Sequence, residues 1–455
     1  MTTRHGMPLR SDYLAAALDA ALSDVDPTES RGRVLDAVGT LVKATGLSAR
    51  IGDLCELRNP GSSWRLRAEV IGVSRQATLL MPFGDLDGIS SQTEVVNLGR
   101  AQTVKVGPAL LGRVLDGLGE PRDALGPLSS GLEYPVHAVA PDPLTRKRVD
   151  RVLQTGVRAI DGLLTCGQGQ RVGIFAPAGT GKSSLLGMIA RGTSADVIVV
   201  GLIGERGREV GEFLDGLRQA GASKHCVCVV ATSDRPAVER IKAANVATSI
   251  AEYFRDQGKS VLLLVDSVTR YARALREIGL ASGEPPARRG YPPSTLAALP
   301  RLFERAGQSA SGSITAFYTV LVDDDEAGDP IGEEVRATLD GHIVLSNKLA
   351  AAGHYPAIDV LTSRSRVMVN VASEQQQSAA IAAIEQLAKY DSVHMLVQIG
   401  EYKSGSDAAA DRALRCRDGL LKFLRQGRAE TFAFDATVAQ LHRAVSSSSN
   451  NAVSS

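Results

Sequence analysis

Residues 176–183 read Ala-Pro-Ala-Gly-Thr-Gly-Lys-Ser and lie between two strongly patterned segments. The apolar run Arg171 to Phe175 before them predicts a buried strand, and Ser184 to Arg191 after them predicts a helix. A strand, a glycine-rich loop and a helix in this order form a phosphate-binding loop, in which backbone N–H groups and the helix N-terminus hold phosphate oxygens. The chain is therefore predicted to be an α/β protein that binds ATP.

The loop predicts a role for its polar side chains. Lys182 is expected to reach the β and γ phosphates and to act in catalysis, while the Ser183 hydroxyl is expected to bind Mg²⁺. Ala176 replaces the glycine of the strict pattern, and Pro177 removes one N–H that would otherwise be available to phosphate. The residues predicted to contact ATP in this segment are Ala178, Gly179, Thr180, Gly181, Lys182, Ser183 and Ser184.

A second strand ends in an acidic residue. The apolar run Val261 to Val265 is followed directly by Asp266. Its carboxylate is therefore predicted at the carboxyl edge of the sheet, where ligands bind in open α/β folds. Asp266 is expected to be the second anchor for Mg²⁺.

A third strand, Val197 to Ile203, runs into the charged segment Gly-Glu-Arg-Gly-Arg-Glu. Hydrolysis needs a group that orients and polarises the attacking water, and Glu205 is the predicted general base. Arg206 is predicted to hold the γ phosphate, and Glu209 to bind the water shell of Mg²⁺.

The patterning predicts an α/β protein with several parts. Between Arg151 and Val371, buried-type strands alternate with amphipathic helices, which indicates a mostly parallel sheet with helices on both faces. Leu35 to Val42 is predicted as one strand of a preceding barrel, and Ser11 to Leu22 as a short helix. The predicted parts are an N-terminal helical segment at 1–25, a β-barrel domain at 26–100, the ATPase domain at 101–371, a C-terminal helical domain at 372–445 and a disordered tail at 446–455.

The C-terminal helical domain is predicted from an alanine-rich sequence that follows Ser373. Ser373 and Gln376 form a capping-box pattern, in which each side chain binds the backbone N–H of the other residue. The apolar positions Ile381, Ile384 and Leu387 follow this pattern, and a small helical bundle is predicted.

Composition excludes several other classes of protein. The formal net charge is +1, so the chain lacks the positive field by which nucleic acids are captured, and no nucleic-acid partner is predicted. Its five cysteines include no C-x-x-C pair, which fits a reducing cytoplasm. Apolar stretches all fall short of the roughly 20 residues that cross a bilayer, so any membrane attachment is expected to be peripheral.

Several motifs resemble the rotary ATP synthase alpha/beta superfamily, and especially its type III secretion and flagellar export ATPases. The segment 204–209 is similar to the catalytic-glutamate segment of that family, and 356–365, Pro-Ala-Ile-Asp-Val-Leu-Thr-Ser-Arg-Ser, is similar to its signature near the subunit interface. The export branch is indicated by 299–307 and 339–346. The resemblance covers nearly the whole chain and implies a RecA-like P-loop NTPase core.

The resemblance also implies three further site residues and an assembly. Arg366 matches the arginine that enters the site of the neighbouring subunit, so a homohexameric ring is expected. Tyr355 matches the position that packs against adenine, and Tyr402 is a second candidate for the same pocket. An ATPase of this family is expected in the cytoplasm, peripheral at the inner membrane, where it separates chaperones from cargo and unfolds export substrates.

The expected partners follow from the same resemblance. They are a stator or regulator protein on the N-terminal segment, a central stalk protein, chaperone–cargo complexes on the C-terminal domain and the inner-membrane export apparatus. A flagellum-specific export ATPase and the catalytic subunit of a rotary ATP synthase share the catalytic motifs and stay open as alternatives. A Rho-like RNA translocase would need an aromatic, basic barrel, whereas Trp64 is the only tryptophan in the chain.

Overall fold

The structure is a computed structural model that describes residues 30–128, 131–322 and 329–446. The predicted helix from Ser11 to Leu22, the segment 1–25 and all but Ser446 of the predicted tail lie outside the described residues. The chain divides into two compact units, Met1–Gln102 and Thr103–Ser455. Within the described residues, no helix has both the length and the apolar character needed to span a membrane.

The first unit contains a closed β-barrel. Its strands are β1 (Arg31–Val38), β2 (Leu41–Thr45), β3 (Asp53–Arg58), β4 (Arg65–Val73), β5 (Thr78–Pro82) and β6 (Glu94–Ala101). They pair in the order β1-β2-β5-β4-β3-β6. Alternate side chains point into the barrel and form a small core around Val42, Leu57 and Leu80, all fully buried. This barrel confirms the predicted fold of the N-terminal domain.

The prediction of one strand from Leu35 to Val42 is wrong. β1 ends at Val38, and β2 begins at Leu41 and runs back antiparallel to it. The turn between them contains Gly39 at φ 66°, a left-handed conformation that glycine adopts without strain. The apolar pattern continues across the turn, so patterning alone did not separate the two strands.

The second unit is built on a mostly parallel sheet. Its strands are β7 (Thr103–Val106), β8 (Val114–Asp116), β9 (Leu132–Pro135), β10 (Val152–Leu153), β11 (Cys166–Gly167), β12 (Arg171–Ala176), β13 (Val197–Ile203), β14 (Cys226–Ala231), β15 (Ser260–Asp266), β16 (Gly307–Gln308), β17 (Ser313–Leu321), β18 (Gly341–Val344) and β19 (Arg364–Ser365). The main sheet runs β19-β18-β12-β17-β15-β13-β14-β8, with β16 paired to β17. The strands from β18 to β8 along this path are parallel, and β16 and β19 run antiparallel to their partners.

The helices of this unit cover both faces of the sheet and form the C-terminal domain. They are α1 (Arg158–Leu163), α2 (Lys182–Gly192), α3 (Gly207–Gln219), α4 (Ala237–Asp256), α5 (Val268–Ala281), α6 (Pro293–Phe303), α7 (Pro330–Thr338), α8 (Asn347–Ala351), α9 (Met368–Val371), α10 (Glu374–Gln398), α11 (Ala408–Leu424) and α12 (Phe434–Ser446). All seven residues of β13 are buried, because a strand in the middle of a covered parallel sheet has no solvent face. The α/β core and the C-terminal helices α10 to α12 confirm the predicted fold class.

The predicted capping box at the start of α10 is only half formed. The Ser373 hydroxyl accepts from the backbone N–H of Gln376 at 3.2 Å. The Gln376 side chain, however, donates to the carbonyl of Asp161 at 2.9 Å and to Thr165 Oγ1 at 2.8 Å. Gln376 therefore ties the C-terminal domain to the α/β core. Along α10, Ile381 is exposed while its small neighbour Ala380 is buried.

Candidate site for nucleotide hydrolysis

The phosphate-binding loop connects β12 to α2 at the carboxyl edge of the sheet. Gly179 at φ 82° and Gly181 at φ 91° take left-handed conformations that any other residue would adopt only with strain. Thr180 Oγ1 donates to the carbonyl of Pro177 at 2.8 Å and braces the loop from inside. The loop thus points its exposed positions, Ala178 and Gly179 among them, toward solvent at the start of α2.

Lys182, the first residue of α2, joins the two predicted carboxylates. Its Nζ lies 3.1 Å from Glu205 Oε1 and also forms an ion pair with Asp266 Oδ1. Burial lowers the pKa of the ammonium, but the charges of Asp266 and Glu205 outweigh burial and raise that pKa above its usual value. Three residues that lie far apart in the sequence therefore meet at one place, as their strand ends predict.

Glu205 is held between two cations. It follows β13, and its side chain is buried, with the residue 4% exposed. Arg270, in the first turn of α5, donates from Nε to Glu205 Oε1 at 3.1 Å and from Nη2 to Oε2 at 3.4 Å. Sequence reasoning missed Arg270; its signal was a basic residue four positions after Asp266, at the start of the helix that follows the neighbouring strand.

Asp266 ends β15, between β13 and β17 in the sheet. It is 2% exposed, and Thr319 of β17 donates its hydroxyl to Asp266 Oδ1 at 2.7 Å. Burial raises the pKa of this carboxyl above its usual value, even though Lys182 and Thr319 favour the charged form. Thr319 is a second residue that sequence reasoning missed, because only the order of the strands brings it beside Asp266.

The remaining charged residues of the segment after β13 lie on the solvent side. Arg206 is exposed and donates to Glu209 Oε1 at 3.4 Å. Glu209 also lines a cavity of about 230 Å³ whose wall includes Ser183 and Ser184 of α2. The structure therefore brings Ser183 and Glu209 to one cavity, and it pairs Arg206 with Glu209.

The donor set fits Mg²⁺ held jointly with phosphate. Among the described residues, no group of three His, Cys, Asp or Glu side chains is placed to hold a metal ion by itself. Mg²⁺ is commonly bound through one or two protein oxygens, several waters and the phosphates of its nucleotide. The exposed hydroxyl of Ser183 and the buried carboxylate of Asp266 are oxygen ligands of this kind.

The two predicted adenine-packing tyrosines lie in different surroundings. Tyr355 is 42% exposed, and its ring lies against the phosphate-binding loop, where a Cβ added to Gly181 would be 3.5 Å from Tyr355 Cε1. Tyr402 donates its hydroxyl to Asp411 Oδ1 at 2.8 Å and to the carbonyl of Asp407 at 3.1 Å. These partners belong to the C-terminal domain, and the place of Tyr402 in a base pocket stays a prediction.

Arg366 lies away from the other predicted catalytic residues. It follows β19, and its backbone N–H donates to the carbonyl of Asp340 at 3.0 Å, at the amino end of β18. Five strand spacings separate β19 from β13, which precedes Glu205, and at about 4.8 Å each they amount to about 24 Å. The Arg366 side chain is exposed, and its Nη2 donates to the carbonyl of Arg336 at 3.3 Å.

Family models match three parts of the chain. Residues 34–99 match the beta-barrel domain and residues 156–365 the nucleotide-binding domain of the ATP synthase alpha/beta family. Residues 372–443 match the C-terminal domain of the type III secretion ATPase EscN. Each match coincides with one of the structural parts described above.

Known proteins match over nearly the full length. A type 3 secretion system ATPase of Xanthomonas euvesicatoria is 53% identical over 432 residues, which are 95% of this chain and 98% of that relative. The assembled ATPase EscN from the type III secretion system of enteropathogenic E. coli is 50% identical, with a TM-score of 0.86 over 91% of this chain and 100% of that chain. EscN in complex with its central stalk EscO is 49% identical, with a TM-score of 0.84 and the same coverage.

These matches confirm the export branch of the predicted superfamily and the predicted ATP hydrolase. Since the matches cover 91% to 95% of this chain, the family assignment does not depend on the nucleotide-binding domain alone. This chain belongs to the type 3 secretion system ATPases, within the ATP synthase alpha/beta family.

Proposed function

We propose that this ATPase works as a homohexameric ring in which each hydrolysis site is completed by Arg366 of the neighbouring subunit. One observation carries the proposal: Arg366 is exposed at the edge of the sheet, about 24 Å by strand spacing from Glu205 of its own chain. An arginine that neutralises charge in the transition state has to approach the γ phosphate. A second copy of the chain supplies that approach.

Within one subunit, the chemistry is divided among residues of the carboxyl edge. Lys182 binds the β and γ phosphates, while Glu205 accepts the proton of the attacking water, oriented by its contact with Arg270. Arg206 is exposed beside the cavity of Ser183 and Glu209 and neutralises the γ phosphate. Mg²⁺, when bound through Ser183, Asp266 and the water shell near Glu209, offsets negative charge on the transferred phosphoryl group.

Lys182 has to leave its carboxylate partners when ATP binds. In the structure its ammonium forms ion pairs with both Glu205 and Asp266. Phosphate oxygens would attract the ammonium. Glu205 keeps its contact with Arg270, and Asp266 would be a ligand of Mg²⁺. Glu205 would then lose its contact with Lys182 while Arg270 keeps it oriented toward the attacking water.

The biological role that we propose is the supply of energy for protein export. The ring separates chaperones from cargo through the C-terminal domain and unfolds the export substrate. A central stalk protein occupies the ring, in keeping with the EscN–EscO complex, and a stator or regulator binds the N-terminal segment. The ring lies in the cytoplasm, in peripheral contact with the inner-membrane export apparatus.

Mixed rings test the proposal. Glu205→Gln and Arg366→Ala subunits are each expected to form rings that bind ATP with turnover lowered by about 10³-fold. When the two variants are mixed and reassembled, some interfaces pair an intact Glu205 with an intact Arg366, so phosphate release should recover. A verified mixed ring without any recovery would rule out action of Arg366 between subunits.

A matched variant controls for the loss of a surface arginine. Arg208 lies near the site but forms its ion pair with Glu212 on the exposed face of α3. Arg208→Ala rings are expected to keep turnover near that of the wild type. ATP binding is measured separately with a fluorescent analogue, so that loss of hydrolysis is distinguished from loss of ATP binding.

A further inference from the structure

The first residue of β12, the strand that leads into the phosphate-binding loop, forms a two-point ion pair. Arg171 donates from Nε to Asp340 Oδ2 at 3.0 Å and from Nη2 to Asp340 Oδ1 at 3.2 Å. The backbones of the two residues also bind, because the N–H of Asp340 donates to the carbonyl of Arg171 at 2.9 Å. A guanidinium held in this way fixes the orientation of its carboxylate partner as well as its distance.

Arg366 is attached to the same aspartate. The carbonyl of Asp340 accepts the backbone N–H of Arg366 at 3.0 Å. The fully buried Gln170, just before β12, donates its side-chain amide to that carbonyl at 3.2 Å and to Ser365 Oγ at 3.1 Å. The backbone that carries Arg366 is therefore held by Asp340 and by Gln170, and Asp340 is itself bound to Arg171.

The other end of β12 reaches Arg366 by a second path. The Arg336 guanidinium lies over the ring of Phe175, the residue before Ala176, at 4.5 Å from the ring centre. The carbonyl of Arg336 accepts from Arg366 Nη2 at 3.3 Å. Both ends of the strand that precedes the phosphate-binding loop are thus linked to Arg366.

We propose that Asp340, held by its ion pair with Arg171, is the positioning residue for Arg366. Through this ion pair, β12 of one subunit determines where that subunit presents Arg366 to the next subunit. The inference rests on the proposed action of Arg366 between subunits. A shift of β12 on nucleotide binding is transmitted to Arg366 through a short, partly buried chain of contacts. The occupancy of one site is thereby coupled to catalysis at the adjacent one.

Asp340→Asn tests the inference, because it removes one acceptor of the two-point ion pair. Turnover is expected to fall roughly tenfold to 100-fold with little change in KM for ATP, since a misplacement of about 1 Å has effects of this size. Arg171→Lys keeps the positive charge but loses the fork geometry, and it should show the same loss. Glu304→Gln is the matched control, because Glu304 binds the same Arg171 without contacting Arg366.

Mixing decides whether Asp340 acts on the neighbouring site or on its own. Suppose that Asp340 positions Arg366. In an equal mixture, Glu205→Gln subunits then supply a correctly placed Arg366 to the sites of Asp340→Asn subunits, which have an intact Glu205. For a tenfold defect and independent interfaces, their turnover should be about fivefold above the mean of the two parent rings. Mixing with Arg366→Ala should give no gain, because neither variant supplies a correctly placed arginine.

The reverse pattern would overturn the inference. If Asp340→Asn gained turnover when mixed with Arg366→Ala but not with Glu205→Gln, Asp340 would serve the site of its own subunit. The same turnover gain in both mixtures would also reject the inference. So would unchanged turnover in rings of Asp340→Asn alone. The mixture of Glu205→Gln with Arg366→Ala distinguishes failure of the proposed function from failure of the positioning role. No recovery in that mixture rejects the proposed function itself, whereas recovery there with no gain for Asp340→Asn rejects only the positioning role.

Discussion

Arg270 contacts both carboxylate oxygens of Glu205, with Nε 3.1 Å from Oε1 and Nη2 3.4 Å from Oε2. Gly204, just before the glutamate, leaves room for this side chain, since a Cβ there would lie 2.8 Å from Arg270 Cδ. The glutamate is therefore fixed in direction by the helix that follows the neighbouring strand. A general base works only from a defined position relative to water, so Arg270 is expected to affect catalysis without touching phosphate.

Arg270→Lys tests this role, because the variant keeps the charge but removes the two-point contact. Turnover is expected to fall roughly tenfold to 100-fold, while KM for ATP changes little. Steady-state phosphate release gives both constants. Arg273→Lys, on an exposed position of the same helix, is the control that should stay near wild type. A rise in KM with unchanged turnover would instead assign Arg270 to ATP binding.

Asp266→Asn is expected to raise the Mg²⁺ concentration that supports half-maximal hydrolysis by roughly tenfold, because a neutral amide is a weaker ligand than a carboxylate. Titrating Mg²⁺ at saturating ATP measures the effect. Thr319→Val keeps the carboxylate but removes the hydrogen bond that orients it, and it should shift the curve less, in the same direction. An unchanged Mg²⁺ dependence in Asp266→Asn would contradict the metal assignment.

The meeting of Lys182, Glu205 and Asp266 was predictable because each residue follows an apolar strand of a parallel sheet. The carboxyl ends of such strands share one edge, whatever their order. Arg270 and Thr319 were not predictable in the same way. Their contacts depend on β13, β15 and β17 being neighbours, which is set by packing across the whole sheet and not by any local pattern.

Boundaries that depend on turns and tertiary contacts also escaped prediction. Gly39 separates β1 from β2, but the apolar residues on either side continue the alternation through the turn. Gln376 matched a local capping pattern, yet its amide binds Asp161 and Thr165 of the α/β core. In the first case a local turn interrupts a continuous apolar pattern. In the second, contacts with a part of the chain that is distant in sequence overrule the local pattern.

Tyr355→Ala is expected to raise KM for ATP roughly tenfold with little loss of turnover, because the base loses an aromatic surface while the phosphates keep Lys182. The ring lies next to Gly181 of the phosphate-binding loop. Steady-state kinetics give the split between KM and turnover. Tyr402→Ala is the comparison, and a similar rise in KM would place the second ring in the same pocket. No change in Tyr355→Ala would contradict base packing by Tyr355.

Asp161, which lies close to the helix that follows the phosphate-binding loop, makes the stability of the fold depend on pH. It is fully buried and accepts the N–H of Thr155 at 2.9 Å, the hydroxyl of Thr155 at 2.7 Å and the N–H of Gly156 at 2.9 Å. Gly156 packs against Gly192 at the end of α2, where a Cβ would lie 2.6 Å away. Burial outweighs the three hydrogen bonds and raises the pKa of Asp161 to about 6.

This shift fixes the sign of a pH effect on folding. Because the folded chain binds the proton more tightly than the unfolded chain, the stabilisation is present at low pH and is lost as pH rises through about 6. Between pH 4.5 and 7.5 the unfolding free energy of the wild type should fall by about 2 kcal/mol relative to Asp161→Asn, which cannot titrate. Urea unfolding of both proteins across this range measures the difference. Parallel curves would show that the hydrogen bonds from Thr155 and Gly156 hold the pKa of Asp161 near its ordinary value.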